Sequence, residues 1–360
     1  MTIRPRRSLS NPDLRRPSAL DSVPRDAGVL WLDKNENLDP TLAALSHEVL
    51  VSIPQAALCT YPEAGELYRR LANWVGVAPQ SLLLTPGSDG AIRLAFEAFV
   101  EHGDPVVHTV PTFAMYSVYS QMFGADVSPI NYQRTDAGPH LDPLAIIAAV
   151  RERRPKLLCL PNPDSPTGTI LVPEVLREIL TECEGAGTVL LLDEAYHPFH
   201  DWTAVSWTGI SQNLIVARTF AKAWGAAGLR IGYAVANPTT ISLLHKMRPM
   251  YEVSTLAVEY MQRMLEKTAE MTQAVARINA GKAFFVEEMR GLGFSVLPTA
   301  GNFVHVAFGE SSRNVHSALT GKVLYRADGG HPCLAGYSRF SVASRETMTR
   351  VATLIKQAVR

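Results

Sequence analysis

Residues 219–233, TFAKAWGAAGLRIGY, constrain this chain more than any other stretch. They follow the apolar run at 213–217 (NLIVA), which reads as a buried strand, so their small residues gather at that strand's carboxyl end. Ligand sites in open α/β sheets collect at such ends. The glycines and alanines around Lys222 let a bulky planar ligand approach the backbone. Thr219, three before the lysine, offers a hydroxyl, and Arg230, eight after it, a bidentate cation. Together they suit a phosphate.

An amine beside a phosphate cradle is what a pyridoxal phosphate enzyme requires, because its lysine forms a Schiff base with a cofactor tethered by that phosphate. A surface lysine on a loop is the competing reading. Other strand ends are similarly equipped. Residues 81–85 (SLLLT) form a short strand, followed by the turn Pro86-Gly87-Ser88-Asp89-Gly90 and a helix over 91–100. The amides of Ser88 and Asp89 then face an anion with the helix dipole behind them, although a plain capping turn reads the same way. Residues 105–110 (PVVHTV) form a strand ending at Phe113, which can stack on a flat ring or serve the core, and a helix follows over 116–123. The strand at 156–160 (KLLCL) runs into PNPDSPTG at 161–168, and the strand at 189–192 (VLLL) ends in Asp193-Glu194-Ala195-Tyr196. A carboxylate there is costly to desolvate unless a cation or proton donor meets it, and a protonated pyridine nitrogen is such a partner. A helix cap, worth about 1 kcal/mol, is the alternative.

Strands alternating with helices across 80–236 call for an α/β fold with a mostly parallel sheet wrapped by helices. Residues 256–290 read as one long helical stretch. Segments 293–297, 302–308, 323–326 and 339–342 read as strands of a smaller sheet, closed by a helix over 345–359. The division expected is an arm over 1–29, an amino-terminal part of the small domain over 30–50, a large cofactor-binding domain over 51–255 and a small α+β domain over 256–360.

The balance of 34 basic and 34 acidic residues in 360 leaves no nucleic-acid footprint. No apolar run approaches the ~20 residues that span a bilayer. The four cysteines are far apart and form no CxxC, so neither a zinc site nor a disulfide framework is signalled, and a cytoplasmic location is expected. No GxGxxG follows a strand, which argues against a dinucleotide enzyme. Arg4, Arg6, Arg7, Arg15, Arg16 and Arg25 give the amino terminus a superficial likeness to a transit peptide, but Asp13, Asp21 and Asp26 interrupt it. A flexible or partner-embracing arm is expected. It is too short and proline-rich for the helix-turn-helix of a cofactor-binding regulator.

Taken in order, the Gly87 turn, Phe113, NPDSPTG, DEAY and the Lys222 segment resemble the fold type I pyridoxal-phosphate-dependent aminotransferases. Within them the chain is most similar to the histidinol-phosphate aminotransferase branch, through WLDKNENLDP, TYPEAGELYRRLA, PTFAMY and RPMYEVSTLA, and the likeness covers roughly residues 30–345. It implies that Lys222 forms the Schiff base and shuttles a proton, that Asp193 pairs with the pyridinium nitrogen and that Tyr196 bonds the ring's phenolic oxygen. Phe113 would stack on the ring, Gly87, Ser88, Asp89, Thr219 and Arg230 would hold its phosphate, and Asn162 and Ser165 would complete the pocket. The resemblance also implies a homodimer in which Tyr61 reaches the neighbouring subunit's cofactor. Substrate contacts would come from Arg339, Arg326, Asn37 and Tyr61; either arginine could instead be a surface cation.

The implied reaction moves an amino group from a donor such as glutamate to a keto or aldehyde acceptor; a decarboxylase of the threonine-phosphate type shares nearly all these motifs and stands as the alternative. Departures from the family pattern are Ser165 where an asparagine usually bonds the ring oxygen, Ala221 where serine is common, NENLDP for NENP, and Ala343-Ser344 in place of a glycine. They imply an altered substrate pocket with the chemistry intact.

Overall fold

Apolar runs bounded by glycine and proline turns build one large sheet, seen in a computed structural model that describes residues 3–12, 14 and 25–359. The chain enters through β1 (Leu30–Trp31), α1 (Pro40–Val51) and α2 (Gly65–Val75). It then passes through β2 (Leu82–Thr85), α3 (Gly87–Phe99), β3 (Pro105–Val110), α4 (Ala114–Phe123) and β4 (Asp126–Asn131). A hairpin of β5 (Gln133–Thr135) and β6 (Gly138–His140) precedes α5 (Pro143–Arg153), β7 (Leu157–Pro161), α6 (Pro173–Ala186) and β8 (Val189–Asp193). The large sheet is completed by β9 (Leu214–Thr219) and β10 (Gly232–Ala236), with α7 (Pro238–Met247) following.

The strand order is β2-β10-β9-β8-β7-β3-β4. β10 runs antiparallel to both its neighbours, and every other pair is parallel. All strands but β10 therefore share one direction, and their carboxyl ends meet along one edge. The central strands are buried almost throughout and mostly apolar because both faces are covered. On β8, Leu190 and Leu192 enter one core while Leu191 enters the other, and on β9 Leu214 and Val216 oppose Ile215 and Ala217 in the same way.

The remainder carries α8 (Thr255–Met264), α9 (Thr268–Gly291), β11 (Ser295–Leu297), β12 (Phe303–Ala307), α10 (Ser312–Leu319), β13 (Val323–Leu324), β14 (Tyr337–Ser341) and α11 (Arg345–Ala358). The single helix expected over 256–290 is thus two, separated by a 3-10 turn at Leu265–Lys267. β11, β12 and β14 form an antiparallel sheet with its own core, to which Leu32 contributes. Segment 323–326 does not extend that sheet as a full strand: β13 pairs in parallel with β1, and only Arg326 bridges to Arg339.

Two further departures concern the amino terminus. Leu42 and Val49 of α1 pack in the large core, although residues 30–50 were expected with the small sheet. Asp39 caps α1 by accepting from the Leu42 N–H at 2.8 Å and also receives both Arg277 contacts from α9 at 2.7 Å. The arm, expected to be flexible or to embrace a partner, has a 3-10 turn at Arg7–Ser10 docked on the end of α4, where Ser8 donates to the Met122 carbonyl at 2.7 Å and Arg6 lies over Phe123. Asp13, Arg15, Arg16 and Asp21 fall outside the described residues.

The ends of β8 and β9 are tied by a buried ion pair. Glu194 accepts from Arg218 Nε at 3.0 Å and Nη2 at 2.8 Å, and its other oxygen accepts from the Ala204 N–H at 2.7 Å. Breaking such a pair from one side strands a buried charge. Glu194→Ala is expected to lower unfolding stability by about 3–5 kcal/mol, and Glu194→Gln by less, as measured by the urea midpoint.

Candidate active site

A cavity of about 450 Å³ opens where the carboxyl edge of the large sheet faces the small sheet. The strand ends supply its floor. Asp193, the last residue of β8, is buried and receives two neutral donors, the Tyr116 hydroxyl on Oδ2 at 3.1 Å and the Ala195 N–H on Oδ1 at 3.0 Å. Burial raises its pKa to about 6, against the pull of those hydrogen bonds. The carboxylate is thus desolvated at the centre of the sheet, where a cation would stabilise it most.

Lys222 follows β9 and donates from Nζ to the Lys34 carbonyl at 2.7 Å, with the amine 5.8 Å from the centre of the Tyr196 ring. Burial lowers its pKa to about 8, and the nearby Arg339 guanidinium acts in the same sense. Tyr196 is buried and accepts a hydrogen bond from Asn35 Nδ2 at 2.8 Å. Burial raises its pKa, while hydrogen bonds with Ser165 and Asn35 oppose the rise.

At the other end of the cavity the backbone itself forms the wall. Ser88 and Asp89 lie in the first turn of α3, which begins at Gly87 rather than at residue 91, so their N–H groups are among those the helix leaves without partners. Asp89 is turned aside by a hydrogen bond from the Tyr119 hydroxyl at 3.0 Å. Gly87 has φ +75°, and an added Cβ would lie 2.9 Å from Arg230 Nη2. Gly232 brings β10 against the same turn, where an added Cβ would lie 2.6 Å from the Gly87 carbonyl carbon. Arg230 itself has φ 51°, a conformation few non-glycine residues adopt. Thr219 and Phe113 also line the cavity.

The small sheet covers the open side. Arg326 and Arg339 exchange backbone hydrogen bonds of 3.0 and 2.8 Å, which sets them directly opposite each other. Arg339 Nη2 donates to the Asp33 carbonyl at 3.0 Å and its guanidinium lies 5.5 Å from the Phe303 ring centre. Arg326 sits 3.8 Å from the Asp33 carboxylate.

Ser88, Asp89, Phe113, Ser165, Asp193, Tyr196, Thr219, Lys222, Arg230, Arg326 and Arg339 therefore converge on one cavity. Four expected residues do not line it. Asn162 is buried in its own turn, bonded to the backbone of Leu171. Asn37 donates to the Ala223 carbonyl at 2.9 Å. Gly87 shapes the wall from behind. Tyr61, expected to reach the neighbouring subunit's cavity and not this one, is exposed and stacks on Tyr251 with ring centres 4.3 Å apart. Sequence reasoning also missed contributors, chiefly Asn35 and Tyr116. Tyr116 stands one helical turn after Phe113 and Asn35 two residues before Asn37, spacings that carry no signal of their own. Among the described residues, no group of three or more histidines, cysteines, aspartates or glutamates could hold a metal ion.

A family model for class I and II aminotransferases matches residues 27–355, and the chain belongs to that family. Its particular relatives are narrower. Histidinol-phosphate aminotransferase from Thermoanaerobacter pseudethanolicus is 33% identical over 298 residues, covering 82% of this chain and 83% of that protein. Histidinol-phosphate aminotransferase 1 from Cupriavidus pinatubonensis is 35% identical over 291 residues, covering 79% and 75%. The crystal structure of histidinol-phosphate aminotransferase from Sinorhizobium meliloti in complex with pyridoxal-5'-phosphate aligns with a TM-score of 0.80 at 24% identity, covering 92% of this chain and 91% of that one, and shares the expected fold.

The lowered Lys222 pKa has a direct readout. With a value of about 8, roughly a tenth of the amine is neutral at pH 7, against well under a thousandth for an ordinary lysine. Labelling of the cofactor-free protein by an amine-selective reagent is expected to favour Lys222 at pH 7. Its rate should level off above about pH 9, while surface lysines continue to gain reactivity past pH 10. Peptide mapping across that range checks the expectation.

Proposed function

We propose that this chain is a pyridoxal-phosphate-dependent aminotransferase that moves an amino group from an amino-acid donor, glutamate in the first instance, to a keto or aldehyde acceptor of the histidinol-phosphate type. The observation that carries the reading is a half-buried amine of lowered pKa sharing a cavity with a desolvated carboxylate and a pair of arginines. The residues present fit the cofactor. Gly87 and Gly232 leave the backbone bare beside Arg230, as a phosphate needs, and Asp193 has neutral donors where a protonated ring nitrogen would bring a cation.

When bound, pyridoxal phosphate supplies a carbonyl that takes up the amino group and an aromatic ring that withdraws electrons. Lys222 Nζ would hold it covalently and would serve as the base that moves the proton at the substrate's α carbon. Asp193 would hold the ring nitrogen. Tyr196 would donate to the ring oxygen, and Phe113 would cover a face. The amides opening α3, Ser88, Thr219 and Arg230 would hold the phosphate, and Arg339 with Arg326 would bind the substrate's anionic group.

We further read the protein as a cytoplasmic homodimer. The exposed side chains of Leu58, Tyr61, Met250 and Tyr251 support a partner on that face, from which Tyr61 would reach the other subunit's cavity. The four cysteines are free, and no helix of the described residues is long and apolar enough to cross a membrane.

The test is the visible spectrum of the reconstituted protein as glutamate, histidinol phosphate and threonine phosphate are added in turn, with carbon dioxide assayed in parallel. Loss of the visible band on adding an amino donor, without carbon dioxide, is expected; carbon dioxide release with the band restored would make it a decarboxylase. Lys222→Ala should abolish turnover while the cofactor still binds non-covalently. Arg339→Ala should raise KM for anionic substrates roughly 10- to 100-fold, as loss of about 1.5–3 kcal/mol of charged hydrogen bonding requires.

A further inference from the structure

The segment at Asn35 carries a function that the expected site residues do not cover. Asn35 is 2% exposed, has φ 55°, and uses every polar group it possesses. Its N–H donates to Ser341 Oγ at 2.7 Å, and its carbonyl accepts from Asn302 Nδ2 at 3.0 Å. Ser341 Oγ, which accepts that N–H, donates its own proton to Asn35 Oδ1 at 3.1 Å. In this arrangement the amide oxygen accepts from Ser341 and the NH2 faces Tyr196 Oη at 2.8 Å. A phenol that accepts an N–H on this side keeps its single proton for another direction. Tyr196 lines the cavity together with Ser165, so the cavity is open to that proton.

We infer that Asn35 is a positioning residue that obliges Tyr196 to donate its proton into the cavity, with Ser341 setting the orientation of the Asn35 amide. This rests on the proposed function, in which the group that receives the proton is the cofactor's ring oxygen. A donor to that oxygen favours its anionic form, and so holds down the pH at which the lysine-bound cofactor loses its proton. Without Asn35, Tyr196 is free to turn its proton back toward the space the amide filled.

The experiment is a pH titration of the visible band of the reconstituted protein and its variants, read as the midpoint of the transition. Asn35→Ala should raise the midpoint by about one unit and Ser341→Ala by less, in the same direction. In a Tyr196→Phe background, itself raised, Asn35→Ala should add no further shift, which a general structural role would not reproduce. An unchanged midpoint in folded Asn35→Ala, or a full additional shift in the Tyr196→Phe background, overturns the inference. Should Asn35→Ala fail to fold, an unchanged midpoint in Ser341→Ala overturns it equally. A parent protein that shows no pH-dependent visible band would instead sink the proposed function.

Discussion

Everything in this site depends on strand direction. Parallel strands must end at the same edge, and each end leaves a turn whose backbone groups are not consumed by the sheet. Asp193, Thr219, Ser165 and Phe113 come from strands or turns far apart in sequence, yet they are neighbours because β8, β9, β7 and β3 run the same way. β10, the antiparallel exception, brings Gly232 back against Gly87 and so closes the anion-facing wall. The Arg218–Glu194 pair then fixes the two strand ends that carry the carboxylate and the lysine.

The central part of this arrangement was legible in the sequence because strands buried on both faces cannot alternate. SLLLT, PVVHTV, KLLCL, VLLL and NLIVA all announce themselves as short apolar runs, and the structure places β2, β3, β7, β8 and β9 on them. β4, reading DVSPIN, was not legible. It lies at the sheet edge with one neighbour and exposes Asp126 and Asn131, so neither burial nor pairing needs an apolar pattern there. The residues read as a group from NPDSPTG, DEAY and the lysine segment largely meet, because their loops are local and short. Contacts made across long sequence separations were invisible. Nothing in the spacing of Arg326 and Arg339 says that they face each other across a backbone bridge, and nothing in NEN selects Asn35 over Asn37.

Segment 33–35 shows how little chain is needed to join the two sheets. Asp33 gives its carbonyl to Arg339, Lys34 gives its carbonyl to Lys222, and Asn35 reaches Tyr196 on one side and Ser341 on the other. Each bond uses a backbone group or a short amide, so the geometry is set by the path of the chain and only weakly by long, mobile side chains. The left-handed turn at Asn35 is what points these groups in different directions.

The two ends of the cavity are built from different materials. The wall beside Arg230 is backbone and glycine, where even one added carbon meets an atom within 3 Å. The opposite wall is made of side chains borne by β14, Arg326 and residues 33–35, supported by a separate core. Mutation can therefore explore that second wall without disturbing the sheet that holds the first. A chain built this way can change what it accepts through a handful of exchanges on a small, independently packed layer, while the machinery beneath stays locked.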